Sequence, residues 1–84
     1  MNIYEYDDFR LYLQHCYEQR CKEDPSYTCR KFAAEASFTN PGFLNDVIKG
    51  RRKLSREAVG KMIRVFGLSE IEADFFRLLV AYRR

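Results

Sequence analysis

Apolar residues recur at intervals of three and four along almost the whole chain, the period of helices that each bury one face. Tyr6, Phe9, Leu13, Cys16 and Tyr17 mark the first such stripe, over Tyr6 to about Cys21. Asp7 is placed to cap its start, Asp8 to favour the helix dipole, and Asp24-Pro25 to stop it. A second helix is predicted from Thr28, whose hydroxyl caps it, through Phe32, Ala33 and Ala36. The small Ala33 beside Phe32 permits a close helix crossing. Ser37-Phe38-Thr39 reads as a connection, with Phe38 as a plug in the core.

The third helix is expected to start at Thr39 or Asn40, with Pro41 in its first turn. Phe43, Leu44, Val47 and Ile48 fill one arc of its wheel, and Gly42, Asn45, Asp46 and Lys49 fill the other. Gly50 follows where a left-handed residue ends a helix. Ser55 caps a fourth helix that buries Val59, Met62, Ile63 and Phe66 and ends at Gly67, with Leu68 folding back over the last turn. Ser69 and Glu72 form a capping box for the fifth. There Phe75, Leu78, Leu79 and Tyr82 are assigned to the core, while Phe76 lies to one side as a candidate contact surface. The pattern still runs at Arg83-Arg84, which reads as a domain cut from a longer protein. No segment alternates like a strand. The fold class is therefore all-α, a compact five-helix bundle forming a single domain over residues 1–84.

Composition narrows the function classes. With 46% hydrophobic residues and thirteen aromatics, 84 residues can bury a core. No apolar run approaches the roughly 20 residues of a membrane span, and the acidic start MNIYEYDDF lacks the basic region of a signal peptide. A cytoplasmic protein is expected. Cys16, Cys21 and Cys29 are odd in number and fit no zinc spacing, and His15 would need two further ligands. Free thiols in a reducing compartment are the simpler reading, and a metal site the other. With one histidine, no phosphate-cradling glycine loop and no acid–base pair, the chain does not read as an enzyme. No cofactor is implied.

Charge is unevenly distributed. Residues 1–27 hold three basic and six acidic side chains, residues 28–64 nine and three, and residues 65–84 three of each. Lys49, Arg51, Arg52, Lys53 and Arg56 place five positive charges within eight residues, at a helix exit suited to phosphate oxygens. The outward arc of the third helix carries groups able to hydrogen-bond base edges. It is also what an ordinary amphipathic surface helix would show.

Several anchors fall in the order of a known family. Thr28-Cys29-Arg30-Lys31-Phe32-Ala33, Val47-Ile48-Lys49-Gly50-Arg51-Arg52 and Ser55 through Phe66-Gly67-Leu68 resemble the Cro/repressor-type helix-turn-helix. Across nearly the whole chain, Tyr6-Asp7-Asp8-Phe9-Arg10, Phe32-Ala33-Ala34-Glu35-Ala36-Ser37, Asn40-Pro41-Gly42-Phe43-Leu44, Gly50-Arg51-Arg52-Lys53-Leu54-Ser55 and Gly67-Leu68-Ser69 add a second likeness. They resemble the N-terminal domain of a family of largely uncharacterised bacterial proteins, found in predatory bacteria among others, that carry a longer C-terminal region. Ser37 stands where the wider family commonly has Gly, and the Ser37-to-Gly50 span is one residue longer than usual.

The resemblance implies the reader head of a bacterial transcriptional regulator acting on double-stranded DNA. Asn40, Asn45, Asp46 and Lys49 would face the major groove. Thr28 and Arg30 would meet one phosphate strand, and Arg51, Arg52 and Lys53 the other. About six cationic contacts correspond to a log–log salt slope near −5. One such domain covers a half-site, so a homodimer is expected, through a surface that the C-terminal region would supply. Gly42 has no side chain and Asp46 repels phosphate. Those two residues, with the acidic first helix and the candidate apolar surface at Phe76, support a second class, a degenerate helix-turn-helix serving as a protein-interaction module.

Overall fold

The computed structural model describes residues 2–82, which form five α-helices behind a short 3-10 turn at Ile3–Glu5. They are α1 (Phe9–Glu23), α2 (Cys29–Ala36), α3 (Phe43–Ile48), α4 (Arg56–Phe66) and α5 (Glu70–Tyr82), with no strand among the described residues. The continuation of the helical pattern through Arg83-Arg84 lies outside the described residues. No described helix is long and apolar enough to cross a membrane.

Local chemistry accounts for each helix start. Asp8, not Asp7, caps α1 by accepting from Arg10 N at 3.0 Å. The helix begins at Phe9 instead of Tyr6 because the preceding residues are otherwise engaged. Asn2 caps the 3-10 turn, and Tyr6 is extended (φ −100°, ψ 142°). That turn buries Ile3, which packs in the core and was invisible to the helical periodicity. Tyr6 Oη and His15 Nδ1 then share a 2.7 Å hydrogen bond.

Thr28 caps α2, accepting from Lys31 N at 3.2 Å. Ser37 ends that helix in the left-handed region (φ 62°, ψ 37°). The start of α3 is later than Thr39 or Asn40, at Phe43. Asn40 Oδ1 accepts from Gly42 N at 2.9 Å, and Asn40 O accepts from Phe43 N at 3.1 Å. This side-chain turn competes with helical hydrogen bonds and holds Asn40, Pro41 and Gly42 outside the helix. Ser55 caps α4, accepting from Ala58 N at 3.1 Å, and Gly67 (φ 63°) ends it. Leu68 N reaches back to Ile63 O at 3.2 Å. The Ser69–Glu72 box closes both ways, at 2.9 and 3.2 Å.

The core is assembled by α1 packing on α3 and α5, and by α2 packing on α3 and α4. The 3-10 turn packs on α5. Phe38 is half-buried and stacks on Phe43 with ring centroids 4.2 Å apart, so the connection is pinned by aromatic contact. In α5 the expected stripe is turned. Phe76 is fully buried beside Tyr12, while Leu78 is 67% and Tyr82 87% exposed. Successive residues of a helix diverge by about 100°, so an apolar pair such as Phe75-Phe76 leaves two registers open. Tyr4, from the 3-10 turn, meets Phe75 edge-on at 5.1 Å, and Phe76 takes the core position with Ala73 and Leu79.

Candidate nucleic-acid interface

The basic segment leaves α3 through Gly50, whose φ of +80° is open to glycine at little cost. Arg51 immediately folds back on the helix. Its backbone N donates to Asp46 O at 2.8 Å, and its Nε and Nη2 donate to Asp46 Oδ1 at 3.3 and 3.1 Å. Arg52 instead lays its guanidinium 5.3 Å from the centroid of the Phe43 ring. Lys49, Arg52, Lys53 and Arg56 are all exposed, and none has an ion-pair partner among the described residues.

The four residues expected to face bases differ in what else they do. Asn45 on α3 and Lys49 at its C-terminal cap are exposed, and their side chains form no hydrogen bond among the described residues. Asn40 commits its side-chain oxygen to Gly42 N but retains its NH₂ donors. Asp46 is half-buried and holds Arg51. Its charge is therefore balanced within the fold. Because α3 has only six residues, it is about 9 Å long. The face it offers is small, and the adjoining loop supplies most of the charge.

Of the other expected phosphate contacts, Arg30 is exposed near the start of α2. Thr28 accepts from Lys31 N, which leaves its hydroxyl proton available to a phosphate oxygen. Neighbouring cations are engaged elsewhere. Lys31 pairs with Asp24 at 3.1 Å, and Lys61 donates to Ser37 O at 3.0 Å. The Asp24 carboxyl is held down at about 2, first by the Ser26 hydroxyl and then by Lys31.

One residue the helical pattern did not single out ties three helices together. Arg20 donates to Glu35 Oε1 at 3.0 Å and to Val65 O at 2.9 Å, and Tyr27 Oη donates to the same Glu35 oxygen at 2.8 Å. Burial first, then the bond to Glu35, pushes the Tyr27 phenol up to about 12. These partners lie far apart in sequence, and periodicity carries no signal for such a pairing.

The cysteines are free thiols, Cys16 buried and Cys21 and Cys29 half-buried. Burial raises the pKa of Cys16, which makes it a poor nucleophile. Among the described residues no group of three or more His, Cys, Asp or Glu side chains is arranged to hold a metal. Comparisons of the chain with protein-family models, curated proteins and solved structures found no match.

Proposed function

We propose that this chain is a DNA-binding domain of the helix-turn-helix type, the reader head of a bacterial transcriptional regulator. In this reading α2 and α3 are the paired helices, and α3 lies at the major groove. Asn45 and Lys49 read base edges, with the Asn40 amide beside them. Arg52, Lys53 and Arg30 contact phosphates, joined by the Thr28 hydroxyl. Arg56 adds positive charge to the same loop. The observation that carries the proposal is the run of exposed cations without ion-pair partners, Lys49, Arg52, Lys53 and Arg56, at the exit of a helix with a polar outward face. A single copy covers one half-site, so tight binding calls for a dimer.

Fluorescence polarisation on random duplex DNA, from low to moderate salt, tests this directly. With Arg51 held by Asp46 and Lys49 assigned to base edges, four cations (Arg30, Arg52, Lys53 and Arg56) correspond to a log–log slope of about −3.6. Arg52→Ala with Lys53→Ala flattens it by roughly 2. Absence of binding at low salt, by a chain whose circular dichroism is helical, overturns the reading.

A second reading, a protein-interaction module on the same fold, has its own observation. Ile71 and Tyr82 are 73% and 87% exposed and share a face of α5 with the exposed Leu78. Exposed apolar stripes of this kind favour protein contact. Light scattering across a concentration series separates the two readings. Self-association that Leu78→Asp removes, in a protein that ignores DNA, favours the second.

A further inference from the structure

A cleft of about 600 Å³ opens between α1, the segment leading into α4, α4 itself and α5. Phe9, Leu54, Val59, Val80 and Ala81 supply its apolar lining. Four cations, Arg10, Lys53, Arg56 and Arg77, line it too, and no acidic side chain does. Arg77 is paired with Asp74 at 3.0 Å, and Glu57, next to Arg56, is paired with Lys61 at 3.7 Å. Arg10, Lys53 and Arg56 have no ion-pair partner among the described residues.

Arg10 is the decisive residue. Its Nε is buried and has no hydrogen-bond partner, the one buried side-chain nitrogen or oxygen in that condition among the described residues. A buried cationic N–H without an acceptor is costly, and folded proteins seldom leave one without a reason. The group lies against the Phe9 ring and close to the backbone of Gly50. Its guanidinium lies 5.0 Å from the centroid of the Phe9 ring, and a Cβ added at Gly50 would stand 3.8 Å from Nε.

We propose that this cleft is a binding site for a small amphiphilic oxyanion, a carboxylate or phosphate head on an aliphatic body. Arg10, Lys53 and Arg56 take the head through charge-assisted hydrogen bonds. Leu54, Val59, Val80 and Ala81 take the body, since the guanidinium of Arg10 already occupies one side of Phe9. The volume falls within the range of about 300–1,000 Å³ usual for small-molecule sites. Lys53 and Arg56 also belong to the basic loop assigned to DNA, so the site is tested with no DNA present, and its outcome stands whether or not the chain binds DNA.

The isotope-labelled chain is titrated with octanoate, octyl phosphate, octan-1-ol, acetate and inorganic phosphate, following the amide resonances of Arg10, Leu54 and Val80. The better of octanoate and octyl phosphate binds at least about tenfold more tightly than octan-1-ol, acetate or inorganic phosphate, and the tighter of the two identifies the head group. Equal binding of octan-1-ol reduces the site to an apolar hollow and overturns the proposal. Equal binding of inorganic phosphate reduces it to a basic patch and does the same, as does the absence of shifts at these amides. Arg10→Gln lowers affinity for the oxyanion about tenfold and leaves octan-1-ol binding unchanged. Lys53 is exposed, so Lys53→Gln provides a second variant that keeps its fold and also weakens the oxyanion. Unchanged oxyanion affinity in the folded variants rejects the site.

Discussion

Arg51 Nη2 sits 3.1 Å from Asp46 Oδ1, so the one acidic side chain on the outward arc of α3 restrains the first arginine of the basic loop. The pair is partly solvated, Arg51 being 60% exposed, and contributes no more than about 0.5 kcal/mol to stability. Its larger consequence is for binding. Under the DNA-binding reading, Asp46→Asn releases one cation to a phosphate and is expected to steepen the log–log salt slope by about 0.9. Random duplex DNA in 0.1 M salt is then bound about fivefold to tenfold more tightly. Polarisation titrations at several salt concentrations measure both quantities. A slope equal to that of the parent chain would show that Arg51 stays off the phosphates even when freed.

Arg20 behaves oppositely, as a structural cation. It joins α1 to Glu35 on α2 and to the carbonyl of Val65 near the end of α4, and its guanidinium lies 5.6 Å from the Phe66 ring centroid. Arg20→Ala leaves a carbonyl and a carboxylate short of donors and is expected to cost about 1–3 kcal/mol. Arg52→Ala, exposed and unpaired, is expected to fall within about 0.5 kcal/mol of the parent. Urea unfolding of the two variants side by side checks the contrast. Equal midpoints would remove Arg20 from the account of how the helices are joined.

Legibility in the sequence followed the range of the forces involved. Thr28, Ser55, Gly67 and the Ser69–Glu72 box were readable because a cap acts within one turn of its own residue. The start of α3 departs from the sequence pattern because Pro41 suits a first helical turn, whereas Asn40 captures the next free N–H for a turn of its own. Phe76 faces the core against the pattern because α5 is apolar on more than one side, and its register is set by Tyr4 and Tyr12, which the local pattern does not include. The candidate interface was readable as a charge cluster. That Asp46 would hold Arg51, and that Lys53 and Arg56 would line a cleft with Arg10, depended on how the loop folds back.

Position on α5 separates two hydrophobic residues that composition treats alike. Phe76 is fully buried against Tyr12, so Phe76→Ala removes core packing and costs about 3–5 kcal/mol. Leu78 is 67% exposed, and Leu78→Asp is expected to stay within about 0.5 kcal/mol. Thermal melts followed by circular dichroism distinguish the two. A large loss of stability in Leu78→Asp would mean that its face of α5 is covered.

Acid stability should depend on the turn between α1 and α2. Asp24 accepts from Ser26 N at 3.0 Å and from Ser26 Oγ at 2.6 Å, and it pairs with Lys31. Its carboxyl is lowered from 3.8 to about 2. A lowered folded-state value favours the folded chain above the unfolded value, and that contribution fades as pH falls from about 4 to about 2. Asp24→Asn lowers stability at neutral pH and flattens the decline of the melting temperature between those limits. The two proteins converge near pH 2. A parallel decline in both would place the acid sensitivity in other carboxylates.

Ser37 offers a gain of stability. It ends α2 with φ 62° and ψ 37°, the only positive φ at a non-glycine residue among those described. A residue with a Cβ pays roughly 1–2 kcal/mol for that conformation, while glycine adopts it freely at some cost in unfolded-chain entropy. Ser37 N and Phe38 N bond back to Ala34 O and Ala33 O through the main chain, and Lys61 binds the Ser37 carbonyl. Each of these bonds survives loss of the side chain. Ser37→Gly is therefore expected to stabilise the fold by about 0.5–1 kcal/mol, raising the urea midpoint without changing the slope. The connection to Phe38 is also retained, so under the DNA-binding reading the affinity at fixed salt is expected to stay the same. A lower midpoint would mean that the serine hydroxyl contributes more to the end of α2 than its backbone conformation costs.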